Sequence, residues 1–289
     1  MIVDLPNGEG REGQARGLRT RRYRSTVPSR GGRAPSAPRS LAIVSGKGGV
    51  GKSLLAVNLA TALCRADVRR RVLLVDGDAG LANADLLLGW LPSHTLTDWA
   101  EGRVRLDELL TRGAERLDLL VSGPSEAAAA LLTRLAKRAP EDRFAEGLAG
   151  HDLAIFDLGA GIGKAVLDVA TACDRVWLVA TPEPTSLADA YTMARRLTER
   201  NPQVDLELVV NRARDAEEGA RTHLALERMT RRFLGRGLPL RAVLPDDPAA
   251  RQSVARQTTL FEVAPRCPMA RRLELLAESL GDELVLSAP

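Results

Sequence analysis

Ser45-Gly46-Lys47-Gly48-Gly49-Val50-Gly51-Lys52-Ser53 fits G-x-x-x-x-G-K-[ST], the phosphate-binding loop. The apolar run Leu41-Ala42-Ile43-Val44 before it suits a buried parallel strand, and residues 54–63 after it read as a helix. Strand, glycine loop and helix is the context the motif requires. The glycines let the backbone curl so that successive N–H groups face phosphate oxygens, and the helix N-terminus adds partial positive charge. Lys52 is expected on the β- and γ-phosphates of a nucleoside triphosphate, and the Ser53 hydroxyl on Mg2+.

The same stretch also satisfies G-x-G-x-x-G at Gly46, Gly48 and Gly51, and Asp76 ends the next expected strand, as a dinucleotide site would have it. A Lys-Ser pair directly after the last glycine is what a triphosphate and its metal need, whereas a dinucleotide does not need it. Composition points the same way. Of 41 Lys+Arg, four are lysines (Lys47, Lys52, Lys137 and Lys164), and two of those lie in this loop. A compact ammonium fits a phosphate cradle where a planar guanidinium does not.

The rest of the composition narrows the class. Length 289 is enough for a full core. Cys64, Cys173 and Cys267 are odd in number and far apart, which argues against a disulfide framework or a C-x-x-C metal site and for a cytoplasmic chain. No apolar run approaches transmembrane length. Aromatics at 3% leave little for stacking single-stranded nucleic acid. The net charge is +4, but residues 1–40 hold nine arginines against Asp4, Glu9 and Glu12, so the body is slightly acidic. That first segment is rich in Arg, Gly, Pro and Ser without apolar periodicity, and reads as a disordered arm over 1–38 ahead of one domain over 39–289.

Along the chain, strands are expected at 71–76, 117–122, 151–157, 175–180, 206–211 and 238–244. Helices are expected near 97–100, 106–110, 126–138, 185–200, 216–234, 249–257 and 268–280. The alternation predicts an α/β fold: a P-loop NTPase with a doubly wound, mostly parallel sheet flanked by helices. Asp76 and Asp78 close one strand and Asp157 closes another, where parallel sheets place ligands. Asp157 suits a Walker B carboxylate ordering the water shell of Mg2+.

Lys47-Gly48-Gly49-Val50-Gly51-Lys52-Ser53 resembles the deviant Walker A motif K-G-G-x-G-K-[ST] of the MinD/ParA ATPases, and residues 76–83 resemble that family's switch I, D-x-D-x-G-L-x-N. Three further stretches resemble its flagellar branch (FlhG, FleN or YlxH): residues 81–89, residues 157–162, and Pro182-Glu183-Pro184-Thr185-Ser186-Leu187-Ala188-Asp189-Ala190-Tyr191. The resemblance implies a slow ATPase that dimerises with ATP and controls flagellar number or placement. It implies that Lys47 reaches the partner's phosphates, Asp78 polarises the attacking water, Asp76 and Asp157 hold the magnesium shell with Ser53, and Asn211 reads the adenine. Gly46 through Leu54, with Asn211, Pro245 and Asp246, are then the candidate nucleotide contacts. Gln14, Ala15, Leu18 and Arg19 resemble the branch's D-Q-A-x-x-L-R, which implies stimulation of a signal-recognition-type GTPase, FlhF, through residues 13–19. Other implied partners are flagellar switch proteins or a flagellar transcription regulator.

The sequence departs from the pattern at Gly77 (Ala is usual), Leu158 (Thr is usual), Gly13 (Asp is usual) and the basic Asn211-Arg212-Ala213-Arg214. Two rival functions stand beside the flagellar one. A ParA-type partition ATPase would bind DNA non-specifically through a basic body, and specific nucleic-acid recognition is not expected. An ATP-dependent small-molecule synthase would need an acceptor site. The amphipathic stretch 271–280 mixes arginine with Glu274 and Glu278 on its polar face, so it is expected to pack on the sheet and to give weak peripheral membrane contact at the cell membrane's inner face.

Overall fold

The computed structural model describes residues 39–78, 83–113, 116–137, 144, 148 and 150–286. The candidate arm and part of the switch I stretch, residues 79–82, lie outside them. Eight strands form one sheet in the order β3-β4-β2-β5-β1-β6-β7-β8. They are β1 (Arg39–Val44), β2 (Val72–Gly77), β3 (Thr111–Arg112), β4 (Leu117–Val121), β5 (Leu153–Leu158), β6 (Arg175–Ala180), β7 (Leu206–Ala213) and β8 (Leu240–Pro245). All neighbours are parallel except β3, which runs antiparallel to β4.

Strands β1, β2, β4, β5 and β6 are buried nearly end to end. Alternate side chains feed two cores. One lies under α3 (Leu96–Ala100), α4 (Glu126–Lys137), α5 (Lys164–Ala170), α6 (Pro184–Arg200) and α7 (Ala216–Leu234), and includes Leu73, Val75, Phe156, Leu178 and Val210. The other, with Ile43, Leu74, Ile155, Trp177 and Val209, lies under α1 (Lys52–Ala66), α2 (Ala84–Leu88), α8 (Pro248–Ala255), α9 (Leu260–Val263) and α10 (Pro268–Leu286). Covering both faces with helices is what near-continuous apolar strands demand.

Helix α10 covers its apolar face with α1 and β8, burying Leu273, Leu276 and Leu280. Its main partner is thus a helix rather than the sheet face alone. No helix among the described residues is long and apolar enough to cross a membrane.

Strand β1 connects across β5 to β2 on one side of the sheet, whereas its other neighbour, β6, connects to β7 on the opposite side, so a crevice opens at their carboxyl ends. The glycine loop occupies that crevice.

Candidate functional site

The loop is shaped by φ values that only glycine takes readily, +79° at Gly49 and +88° at Gly51. Gly51 is also the N-cap of α1. It makes no side-chain cap, and the first turn holds no acidic residue. The first N–H groups of α1 therefore point into the crevice with no side-chain acceptor at Gly51, an arrangement suited to an anion. Two close approaches fix the loop from outside. A Cβ on Gly46 would overlap the Asp189 carbonyl of α6 (Pro184–Arg200), and a Cβ on Gly51 would overlap the Asn211 amide.

Asn211 is buried at the end of β7, and its Nδ2 donates to the Val50 carbonyl at 2.8 Å. Its Oδ1 accepts from the Arg212 N–H, whose φ of +59° turns the chain sharply there. Pro245 and Asp246 stand beside it, since Pro245 pairs with Ala213 and the Asp246 N–H donates to the Ala213 carbonyl. Asp247 then caps two helices with one carboxylate, accepting from Ala249 at 2.9 Å and Met269 at 3.1 Å. The 245–246 loop is held rigidly beside the P-loop as a result.

The two loop lysines face opposite ways. Lys52 is buried, with Nζ 2.5 Å from Asp157 Oδ1. Lys47 runs along the surface to Glu183 Oε2 at 2.7 Å and Thr185 Oγ1 at 3.1 Å, at the start of α6. Residues 136 and 138 positions downstream thus hold Lys47, and sequence reasoning did not pair them with it.

Asp76 and Asp157 are partners in register on β2 and β5, both 1% exposed. Burial pushes the Asp76 carboxyl up to about 6, and the Asp157 charge adds to the rise. The Ala84, Asp78 and Asn83 N–H groups, which donate to Asp76, act against it. Burial raises Asp157 too, opposed by the Lys52 ammonium and the Ser53 hydroxyl, with Asp78 adding to the rise. Asp157 Oδ2 is buried without a hydrogen-bond partner. A carboxylate pair with an orphaned oxygen beside a serine hydroxyl is an environment that favours added positive charge.

These residues fit a magnesium ion, with one restriction. Among the described residues, no three His, Cys, Asp or Glu side chains group closely enough to hold a metal alone. Mg2+ keeps several waters and shares its shell with substrate phosphates, so Ser53 with Asp157 and Asp76 behind it is the kind of protein contribution it needs.

Asp78 follows at the end of β2, its N–H donating to Asp76 Oδ1 at 3.2 Å. It faces Gly159, where an added Cβ would lie 3.5 Å from the Asp78 carboxyl carbon. Lys47, Lys52, Ser53, Asp76, Asp78, Asp157 and Asn211 thus gather around one crevice. Gly77 and Leu158, the two departures noted in the motifs, are themselves partners in register.

Comparison with known proteins identifies the family. Residues 41–260 match the family described as the CobQ/CobB/MinD/ParA nucleotide binding domain. The antiactivator FleN of Pseudomonas aeruginosa is 34% identical over 240 residues, spanning 83% of this chain and 85% of that protein. The flagellum site-determining protein YlxH of Helicobacter pylori is 28% identical over 252 residues, 86% of this chain and 83% of its own. Among solved structures, the septum site-determining protein MinD of Pyrococcus horikoshii, complexed with Mg-ADP, superposes with a TM-score of 0.69 at 25% identity, covering 87% of this chain and 99% of that one. The glycine loop, the acidic strand ends and these matches together place the chain in the CobQ/CobB/MinD/ParA nucleotide-binding family.

Proposed function

We propose that this protein is a MinD-type regulatory ATPase that binds ATP with Mg2+, dimerises on it, and controls flagellar number or placement through protein partners. The observation that carries the ATPase reading is the division of labour between the two loop lysines. Lys52 is turned inward on Asp157, poised to exchange one anion for another when phosphates enter the cradle. Lys47 is turned outward and half-exposed, on a carboxylate at the rim. From there it is placed to meet a second molecule's phosphates, acting as a cation supplied in trans.

The other roles follow from position. The N–H groups from Gly46 to Leu54 surround the phosphates, and Asn211, Pro245 and Asp246 border the base. Asp78 stands where it can orient and polarise a water. Ser53, Asp76 and Asp157 would hold the shell of a magnesium ion, which would supply positive charge to offset that of the phosphates. Hydrolysis that waits for a second subunit makes a slow timer rather than a metabolic catalyst.

The flagellar assignment rests on the relatives named FleN and YlxH. A partner role is supported by the solved MinC:MinD complex of Aquifex aeolicus, 25% identical with a TM-score of 0.67. Residues 13–19, outside the described residues, are the proposed contact with a signal-recognition-type GTPase. The protein is proposed to work in the cytoplasm with weak, ATP-dependent contact at the membrane. The test is to express it in Pseudomonas aeruginosa lacking FleN and count flagella. Restoration of the normal number supports the assignment, and no change in number with the protein well expressed contradicts it.

A further inference from the structure

An uncharged residue follows the acidic one at each of the two strand ends. Gly77 separates Asp76 from Asp78, and Leu158 separates Asp157 from Gly159. The register pairs Asp76 with Asp157 and then Gly77 with Leu158. The next step brings Asp78 opposite Gly159.

Gly77 is not required by backbone conformation, because its φ lies outside the left-handed region. It is required by space. A Cβ built there would lie 2.8 Å from Leu158 Cδ2, with the Asp157 carbonyl and Leu132 Cδ1 each at 3.4 Å. Leu158 has little room to turn away. It is 1% exposed and packs in the same core as Leu132, itself 2% exposed, on the side of α4 (Glu126–Lys137). The leucine therefore covers the bare Cα of Gly77 and plugs the space between the strand end and α4.

We propose that Gly77 and Leu158 are a size-matched positioning pair that sets the placement of the Asp78 carboxylate over Gly159. Neither touches a reacting atom. An added atom at 77 must push on the Leu158 methyl, and because that leucine is enclosed beside Leu132 the shift is shared with β2 at the step between Asp76 and Asp78. The Asp76 carboxylate is held by the Asn83 and Ala84 N–H groups at 2.9 Å each, whereas its link to the Asp78 N–H is longer at 3.2 Å, so the displacement falls on Asp78. Misplacing a catalytic group by about 1 Å can cost on the order of 100-fold in rate. The phosphate cradle lies on another strand and is not displaced.

This inference rests on the role of Asp78 proposed above, and the experiment separates the two. Single-turnover ATP hydrolysis and ATP affinity are measured for the wild type, Asp78→Ala, Gly77→Ala, Leu158→Ala and Gly77→Ala/Leu158→Ala. The expected result is that Gly77→Ala slows hydrolysis at least about tenfold with affinity within about twofold, and that adding Leu158→Ala restores the rate to within about threefold. Should Leu158→Ala fail to fold, Leu158→Val, which moves the terminal methyl groups closer to the backbone, replaces it in the cycle. Normal hydrolysis by Gly77→Ala, equal loss of rate and affinity, or no recovery in the double variant each overturns the pair. If Asp78→Ala hydrolyses normally, the role of Asp78 falls instead, and the pair falls with it.

Discussion

Lys52→Ala should do two things at once, and the second is specific to this structure. It removes the cation proposed to meet the phosphates, so ATP binding should be lost. It also strips the partner from Asp157, whose side chain is 1% exposed and whose Oδ1 lies 2.5 Å from Nζ. Removing one member of a buried pair leaves an uncompensated charge and costs roughly 3–5 kcal/mol. Protonation limits the loss. Burial already raises the Asp157 carboxyl, and without the ammonium it rises further. For a carboxyl raised in the folded state, the stability it contributes is present below its unfolded value and is lost as pH rises through the folded value. The deficit of Lys52→Ala should therefore be largest above neutral pH and shrink towards pH 5. Taking about 3 kcal/mol, and a urea slope of about 3 kcal/mol per molar for a chain of this size, the nucleotide-free midpoint falls by about 1 M at pH 8. Lys52→Ala/Asp157→Asn, which keeps shape without charge, should recover most of the midpoint and none of the ATP affinity. Urea titrations at two pH values decide it. A wild-type midpoint for Lys52→Ala, or a double variant no more stable than the single one, refutes the reasoning.

Other perturbations give separate readouts. Lys47→Ala leaves the inward pair intact and should keep ATP affinity within about threefold while losing hydrolysis; equal loss of affinity in both lysine variants, by calorimetry, argues against a role in trans. Gly51→Ala adds a Cβ at φ +88° against the Asn211 amide and should weaken ATP binding by at least about tenfold, read in the same titration. At the far end of the sheet, burial works to raise Asp118, but His151, with Nε2 at 2.8 Å, and Arg71, at 3.1 Å, outweigh it and hold the carboxyl below its ordinary range. A lowered carboxylate contributes stability above its unfolded value that is lost as pH falls through the folded one, so Asp118→Asn should flatten the loss of stability below about pH 4 in acid titrations followed by circular dichroism.

The elements that could be read in the sequence are those with strong local signals. Strand 175–180 and helix 216–234 fall where expected, because an apolar run bounded by Asp174 and Thr181, and a helix capped by Asp215 and closed by Gly235, carry their own ends. The glycine loop was legible because its φ values and its lysine are chemical necessities of one ligand class. Strand β3 has two residues and makes antiparallel pairs with β4, too short to leave a period. Helix α5 follows a glycine-rich stretch and caps on Gly163 without a side chain, so no start signal precedes it. The contacts that set the site were not readable at all. Lys47 with Glu183, Asn211 with Val50 and Gly77 with Leu158 join residues 136, 161 and 81 positions apart, which only the register of the sheet brings together.

The central claim is that ATP joins two copies of this chain through a loop whose two lysines serve different subunits. The most direct test is light scattering on the Asp78→Ala protein, expected to hydrolyse slowly, with and without Mg-ATP, repeated with Lys47→Ala added. The mass should double only with Mg-ATP, and an ATP-bound monomer should result when Lys47 is also removed. A protein that binds Mg-ATP and stays monomeric, or a dimer indifferent to nucleotide and to Lys47, contradicts it.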